Sequence, residues 1–183
     1  AIDEKRDKID KRIKKSSVIF IYTPVSLINK IIYELSDYTE KNQIISDVGS
    51  VKNIFEKKTL KLNDKQFSLV PGHPIAGTEN SGPESGFKGL FKDGYCILTP
   101  SALARKESVE VVIKMWNLVG MKVDIMDPEY HDLVLAITSH IPHIIAYSIV
   151  GTVSNLEKSI KTEVIKYAAS GFKDFTRIAA SDP

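Results

Sequence analysis

A chain of 183 residues with 43% hydrophobic side chains can bury a core of ordinary size, as one domain or as two small ones sharing an interface. Lys and Arg number 25 against 23 Asp and Glu, a net charge of +2 without the concentrated basic stripe that phosphate-backbone binding needs, so nucleic acid is excluded as a partner. The single cysteine, Cys96, sits in an apolar run and fits a reducing, cytoplasmic setting; the charged N-terminus is unlike a signal peptide, and no apolar stretch approaches the ~20 residues of a bilayer span, so a soluble protein without a membrane partner is expected.

Residues 1 to 15 are mostly charged, with Ile2, Ile9 and Ile13 the only large apolar side chains, enough for one narrow docking face. Val18 to Tyr22 is a continuous β-prone run ended by Thr23-Pro24, the pattern of a strand covered on both faces. Ile28, Ile31, Ile32 and Leu35 then supply a helical stripe, and Gln43 to Ser46 returns the chain to the sheet. After Asp47-Val48-Gly49-Ser50, the residues Val51, Ile54 and Phe55 predict another helix with Ser50 as its N-cap. Phe67 to Val70 is a third strand, and Gly72-His73-Pro74-Ile75-Ala76-Gly77-Thr78-Glu79 reads as the turn beyond it.

Strand, helix, strand, helix, strand implies a doubly wound α/β sheet whose right-handed crossovers bring the strand ends to one edge. Thr23-Pro24, Asp47 to Ser50 and Pro71-Gly72-His73 would converge there, where open α/β sheets bind ligands. His73 is then placed to exchange a proton with a bound molecule. Ser50 is either a plain helix cap or a hydroxyl that both caps and reaches the site.

Gly82 to Gly94 reads as a loop over the site, Tyr95 to Pro100 as a buried strand, and Val109, Val112, Ile113 and Trp116 as a helix closed by Gly120. Lys122 to Met126 is a further strand nearer an edge. Asp127-Pro128 then opens a long helix, expected to be largely buried, on the stripe Leu133, Val134, Ile137, Ile141, Ile144 and Ile145, with a kink at Pro142 beside His140 and His143. A second helix carries Leu156, Ile160, Val164, Ile165 and Ala168 and ends at Ser170-Gly171. The chain looks all-helical from about residue 128, which divides it into residues 1–127 and 128–183.

His140-x-x-His143 has metal-ligand spacing, but no carboxylate or thiolate stands at a complementary position, so no metal site is expected. His140 can instead bond a carbonyl freed by the kink, while His143, Lys173 and Arg177 can face an anionic ligand. Of these, Arg177 has the bidentate fork that suits a carboxylate, and Lys173 reads equally as a solvated surface charge.

Seven motifs stand in order along nearly the whole chain: Asp47-Val48-Gly49-Ser50-Val51-Lys52, Gly72 to Gly82, Leu90-Phe91, Thr99-Pro100, His131-Asp132, Ser139-His140-Ile141-Pro142-His143, and Gly171 to Arg177. In that register they resemble prephenate dehydrogenase and its arogenate-using relatives. The resemblance implies a partial Rossmann-type parallel sheet followed by an all-helical dimerisation domain. It implies oxidative decarboxylation of prephenate to 4-hydroxyphenylpyruvate in tyrosine biosynthesis, with a hydride passing to NAD or NADP, by a homodimer. It implies His73 as the group that accepts the hydroxyl proton, Ser50 as the residue that orients it, and Thr78, Glu79, His143, Lys173 and Arg177 around the substrate. Thr23, Pro24 and Ser50 fall on the cofactor side.

The first glycine is Gly49, so the glycine-rich turn of a Rossmann site is absent, and relatives continue beyond Pro183; a fragment lacking both ends is expected, binding dinucleotide poorly by itself. Arogenate as substrate, or a non-catalytic dimerising remnant, are the alternative readings. A dehydrogenase of another β-hydroxy acid fits less well, because Ser139 to His143 and Arg177 are substrate-side motifs of this family.

Overall fold

The computed structural model describes residues 9–62, 67–77, 83–156 and 158–180. It divides into two compact units, Ala1–Ala76 with Phe91–Asp132, and Gly77–Leu90 with Leu133–Pro183.

The first unit is α/β. Strands β1 (Val18–Ile21), β2 (Ile44–Asp47) and β3 (Ser68–Leu69) form a parallel sheet in that order, with Val18 opposite Ile44 and Ile44 opposite Ser68. All four residues of β2 are buried, as a central strand covered on both faces requires. Helix α1 (Val25–Ser36) lays Ile28, Ile32 and Leu35 onto this sheet beside Ile45, Phe67 and Leu69, and Ile9 and Ile13 pack at the edge of the same cluster.

A second sheet runs β4 (Gly72–Ile75), β5 (Tyr95–Leu98), β6 (Lys122–Ile125), with β4 antiparallel to β5 and β5 parallel to β6. Helix α3 (Lys106–Leu118) covers it with Val112 and Trp116, against Cys96 and Leu98. Phe20 and Phe91 meet the indole edge-on, at ring separations of 5.7 and 5.6 Å. Gly120, at φ +95°, supplies the left-handed residue that turns the chain from α3 into β6.

Two expectations fail in this unit. Gly72 to Ile75 is a strand, not a turn, because its partner β5 offers a ladder: His73 stands opposite Ile97 and Pro74 opposite Cys96. Proline is tolerated since β4 is an edge strand, where a missing N–H breaks no second ladder. Nor does a helix begin at Ser50; residues 50–56 form a turn and α2 is Lys57–Leu62. Side chains from elsewhere take the backbone groups that a helix would have used: Asp132 accepts from the N–H of Lys52 and Asn53, Asn29 Nδ2 donates to the Ile54 carbonyl, and Asn29 Oδ1 accepts from Glu56 N–H.

The second unit is helical. One helix runs from Pro128 to Ser154, α4 (Pro128–Leu135) leading through a π turn at Ala136–His140 into α5 (Ile141–Ser154), followed by α6 (Lys158–Lys166) and α7 (Ser170–Ala179), which packs on α5. Asp127 caps its start, accepting from Glu129 N–H at 2.9 Å. Ser170, expected to end a helix, begins α7.

The helix Pro128–Ser154 is not the largely buried element that its apolar stripe predicts. At 27 residues it is long and apolar enough to cross a membrane by length and composition, and only 11% of its most apolar window is buried within the chain. A helical stripe records that a face needs cover without recording whether the cover is the same chain, and Leu133, Ile137, Ile141, Ile144 and Ile145 are all exposed here. The irregularity near Pro142 is a π turn, in which Ile141 N–H reaches back to the Ala136 carbonyl.

Candidate active site

In the first unit the site grows from the crossing of β2, the turn after it, β4 and the start of α4. Gly72 is glycine because a Cβ there would come within 3.0 Å of Leu98 and 3.3 Å of the Asp47 carbonyl; at Gly49 it would meet Ile28 at 2.9 Å and Asp47 Oδ2 at 3.0 Å. These close approaches let Lys52 fold inward. Its ammonium is fully buried, 2.5 Å from Asp47 Oδ2 and 2.7 Å from the Gly72 carbonyl, while Asp47 Oδ2 also accepts from Gly49 N–H. Burial raises the Asp47 carboxyl and lowers the Lys52 ammonium, and their mutual attraction opposes both shifts.

One residue after Gly72, His73 is half-buried, its Nδ1 3.0 Å from Nε2 of His131 and the two rings edge to face. His131 is fully buried in the first turn of α4 and its Nδ1 donates to Asp132 Oδ1 at 2.8 Å. Asp132 also accepts from the backbone N–H of Lys52 at 2.8 Å and of Asn53 at 2.9 Å. Partial burial works against its charge, but those N–H groups and the His131 ring outweigh it and hold the carboxyl below its ordinary range. Thus Asp132, His131 and His73 form a chain from a stable anion to the half-buried imidazole of His73.

His131 and Asp132 were part of a resembling motif but received no role from the sequence. The available signal was the adjacent His-Asp pair immediately after an Asp-Pro helix start, off the apolar stripe. Cys96, opposite Pro74, is buried and burial pushes its thiol up to about 12, so it stays neutral.

The other predicted residues fall as follows. Ser50 is exposed in the turn after β2 and caps no helix. Thr23 Oγ1 is buried without a hydrogen-bond partner, and Pro24 stands at the N-cap of α1 with no side-chain cap, so an orphan hydroxyl and an uncapped helix start lie together at the end of β1. That pair fits the polar amide of a nicotinamide ring. Thr78 and Glu79 lie outside the described residues.

In the second unit, His143 is on α5 and its Nδ1 donates to the Ser139 carbonyl at 2.8 Å; the carbonyl bond expected of His140 is thus made by His143. Lys173 and Arg177 are exposed and four residues apart on α7, hence on one face of it. Among the described residues no cluster of three or more His, Cys, Asp or Glu side chains could hold a metal ion.

Comparison with known proteins gives the family. Residues 1–125 match the family model for the prephenate dehydrogenase nucleotide-binding domain, and residues 127–183 match the model for the prephenate dehydrogenase dimerization domain. Cyclohexadienyl dehydrogenase of Zymomonas mobilis is 39% identical over 99% of this chain and 61% of its own length; prephenate dehydrogenase of Bacillus subtilis is 33% identical over 100% of this chain and 49% of its own. The crystal structure of Aquifex aeolicus prephenate dehydrogenase in complex with hydroxyphenyl propionate and NAD+ superimposes with a TM-score of 0.82 at 36% identity, covering 94% of this chain and 59% of that one. This chain thus spans between about half and three-fifths of the length of these three relatives. Its two halves carry both domain models of one oxidoreductase family, and the chain belongs to the prephenate dehydrogenases.

Proposed function

We propose that the protein to which this chain belongs oxidatively decarboxylates prephenate to 4-hydroxyphenylpyruvate, in the cytoplasm, as a step of tyrosine biosynthesis, with arogenate as the alternative substrate. The observation that carries the reading is His73, half-buried on an edge strand with its Nδ1 held by the His131–Asp132 pair. Bound NAD or NADP supplies the acceptor for the hydride.

His73 takes the hydroxyl proton at Nε2 as the C–H bond on the same carbon breaks and the carbonyl forms. The ring carboxylate then leaves as carbon dioxide, and the electron pair of that C–C bond makes the ring aromatic and returns negative charge to the oxygen. His73 gives the proton back there, so the phenol is complete and the base is regenerated. Thr23, Pro24 and Ser50 hold the nicotinamide end, and Ser50 also helps to orient the His73 imidazole. His143, Lys173 and Arg177 meet the substrate carboxylates, Arg177 through its two-pronged guanidinium; Thr78 and Glu79 line the mouth. Residues 1–127 serve the cofactor and 128–183 the substrate and a second copy of the chain, which covers the apolar face of the Pro128–Ser154 helix.

The test is His73→Asn in a version carrying the full family length. It is expected to fold and bind both ligands while kcat falls ~10²–10⁴-fold, the usual contribution of a positioned acid-base group. A kcat within threefold of the parent would remove His73 from the reaction.

A further inference from the structure

We infer that His131 is the positioning residue of this site: with Asp132 behind it, it holds His73 in the one tautomer that can accept a proton from substrate, and it shares the positive charge when that proton arrives. The inference rests on the reading of His73 as the base, and it assigns a role to a fully buried histidine that would otherwise have none.

The direction follows from donors and acceptors alone. Asp132 is an anion, so it can only accept, and the hydrogen in its 2.8 Å bond belongs to His131 Nδ1. In neutral His131 the other nitrogen, Nε2, is then an acceptor. The 3.0 Å bond from His73 must therefore be donated by His73 Nδ1–H, which leaves a lone pair on His73 Nε2. Free imidazole prefers its hydrogen on Nε2, the arrangement that could not act as a base at that atom.

The anion that starts this chain is itself held. Lys52 N–H and Asn53 N–H point at the two oxygens of Asp132, so the carboxylate cannot turn away from His131. The same Lys52 sends its ammonium to the Gly72 carbonyl, next to His73. One residue thus fixes both ends of the path Asp132, His131, His73, through its backbone at one end and its side chain at the other. The logic is that of a serine protease triad, in which the buried carboxylate sets the tautomer of the histidine and stabilises the imidazolium without taking its proton.

The experiment reads the imidazole nitrogens directly, without turnover, so its failure is separable from failure of the proposed reaction. In the chain uniformly labelled with 15N, two-bond nitrogen-proton correlation on the neutral imidazole is expected to give a protonated Nδ1 and an unprotonated Nε2 for His73. In His131→Phe, Nε2–H is expected to become the major form. In His131→Gln, whose side-chain carbonyl can accept in place of Nε2, the native form is expected to return. A native His73 in the Nε2–H form overturns the inference whatever the variants do. So does a His131→Phe protein, folded by its amide spectrum, whose His73 keeps Nδ1–H; should that variant fail to fold, the native and His131→Gln spectra still decide. In the full-length enzyme, His131→Phe is expected to lower kcat on the order of 10²-fold and KM by less than threefold, with His131→Gln recovering most of the rate.

Discussion

Isoleucine means different things in the two units. In the α/β unit Ile28, Ile32 and Ile45 are sealed between sheet and helix, whereas on the Pro128–Ser154 helix Ile137, Ile141, Ile144 and Ile145 stand in the open. The first unit satisfies its apolar side chains internally and can afford to bury an ion pair, Asp47 with Lys52, and a histidine, His131, for the sake of geometry. The helical unit leaves its apolar face for another surface to cover. On the proposed function, precision at His73 belongs to one unit and assembly to the other.

The sharpest way to break the contrast is Ile32→Ala, which deletes a side chain with no exposure and leaves a cavity under α1. A loss of about 2–5 kcal/mol in urea unfolding is expected. A loss below 1 kcal/mol would mean that the α/β core is loosely packed and that the buried groups around His73 are not rigidly held.

Next in size is Arg177→Lys in the full-length enzyme, which keeps a charge on α7 but removes the planar fork. Substrate binding is expected to weaken by about 1.5–3 kcal/mol, with KM rising more than kcat falls. An unchanged KM would detach α7 from the substrate and leave the helical unit with assembly as its sole role.

The sequence disclosed the strands of the α/β unit well, because runs such as Val18 to Ile21 and Tyr95 to Leu98 combine β-branched, aromatic and aliphatic residues with flanking turn signals. Asp127 and Gly120 announced a helix start and a helix end through local chemistry of the same kind. What stayed hidden depended on partners far along the chain. Val51, Ile54 and Phe55 have helical spacing, yet Asp132, 79 and 80 residues away, captures the N–H groups of Asn53 and Lys52. Gly72 to Ile75 reads as a turn from its glycine and proline neighbours, yet β5 supplies an edge pairing that needs no N–H from Pro74. His73 could be singled out because glycines and a strand end flank it, whereas His131 acts through a neighbour 58 residues away and has no such local mark.

The smallest expected effect is the one that separates the two units most cleanly. Ile144 is 62% exposed on α5, so Ile144→Ser removes apolar surface that the folded chain alone does not use. Stability of the isolated chain at high dilution is expected to change by no more than about 0.5 kcal/mol, the range for surface positions. Self-association is expected to weaken, because a hydroxyl replaces a branched aliphatic group toward the C-terminal end of the stripe that also carries Leu133, Ile137, Ile141 and Ile145. Sedimentation velocity over a concentration series reads the second effect, and urea unfolding at low concentration reads the first. Weaker association with unchanged unfolding is the signature of a face meant for a second copy. Loss of stability of the size expected for Ile32→Ala would instead place Ile144 in the core of its own chain, and the division of labour between the two units would fall with it.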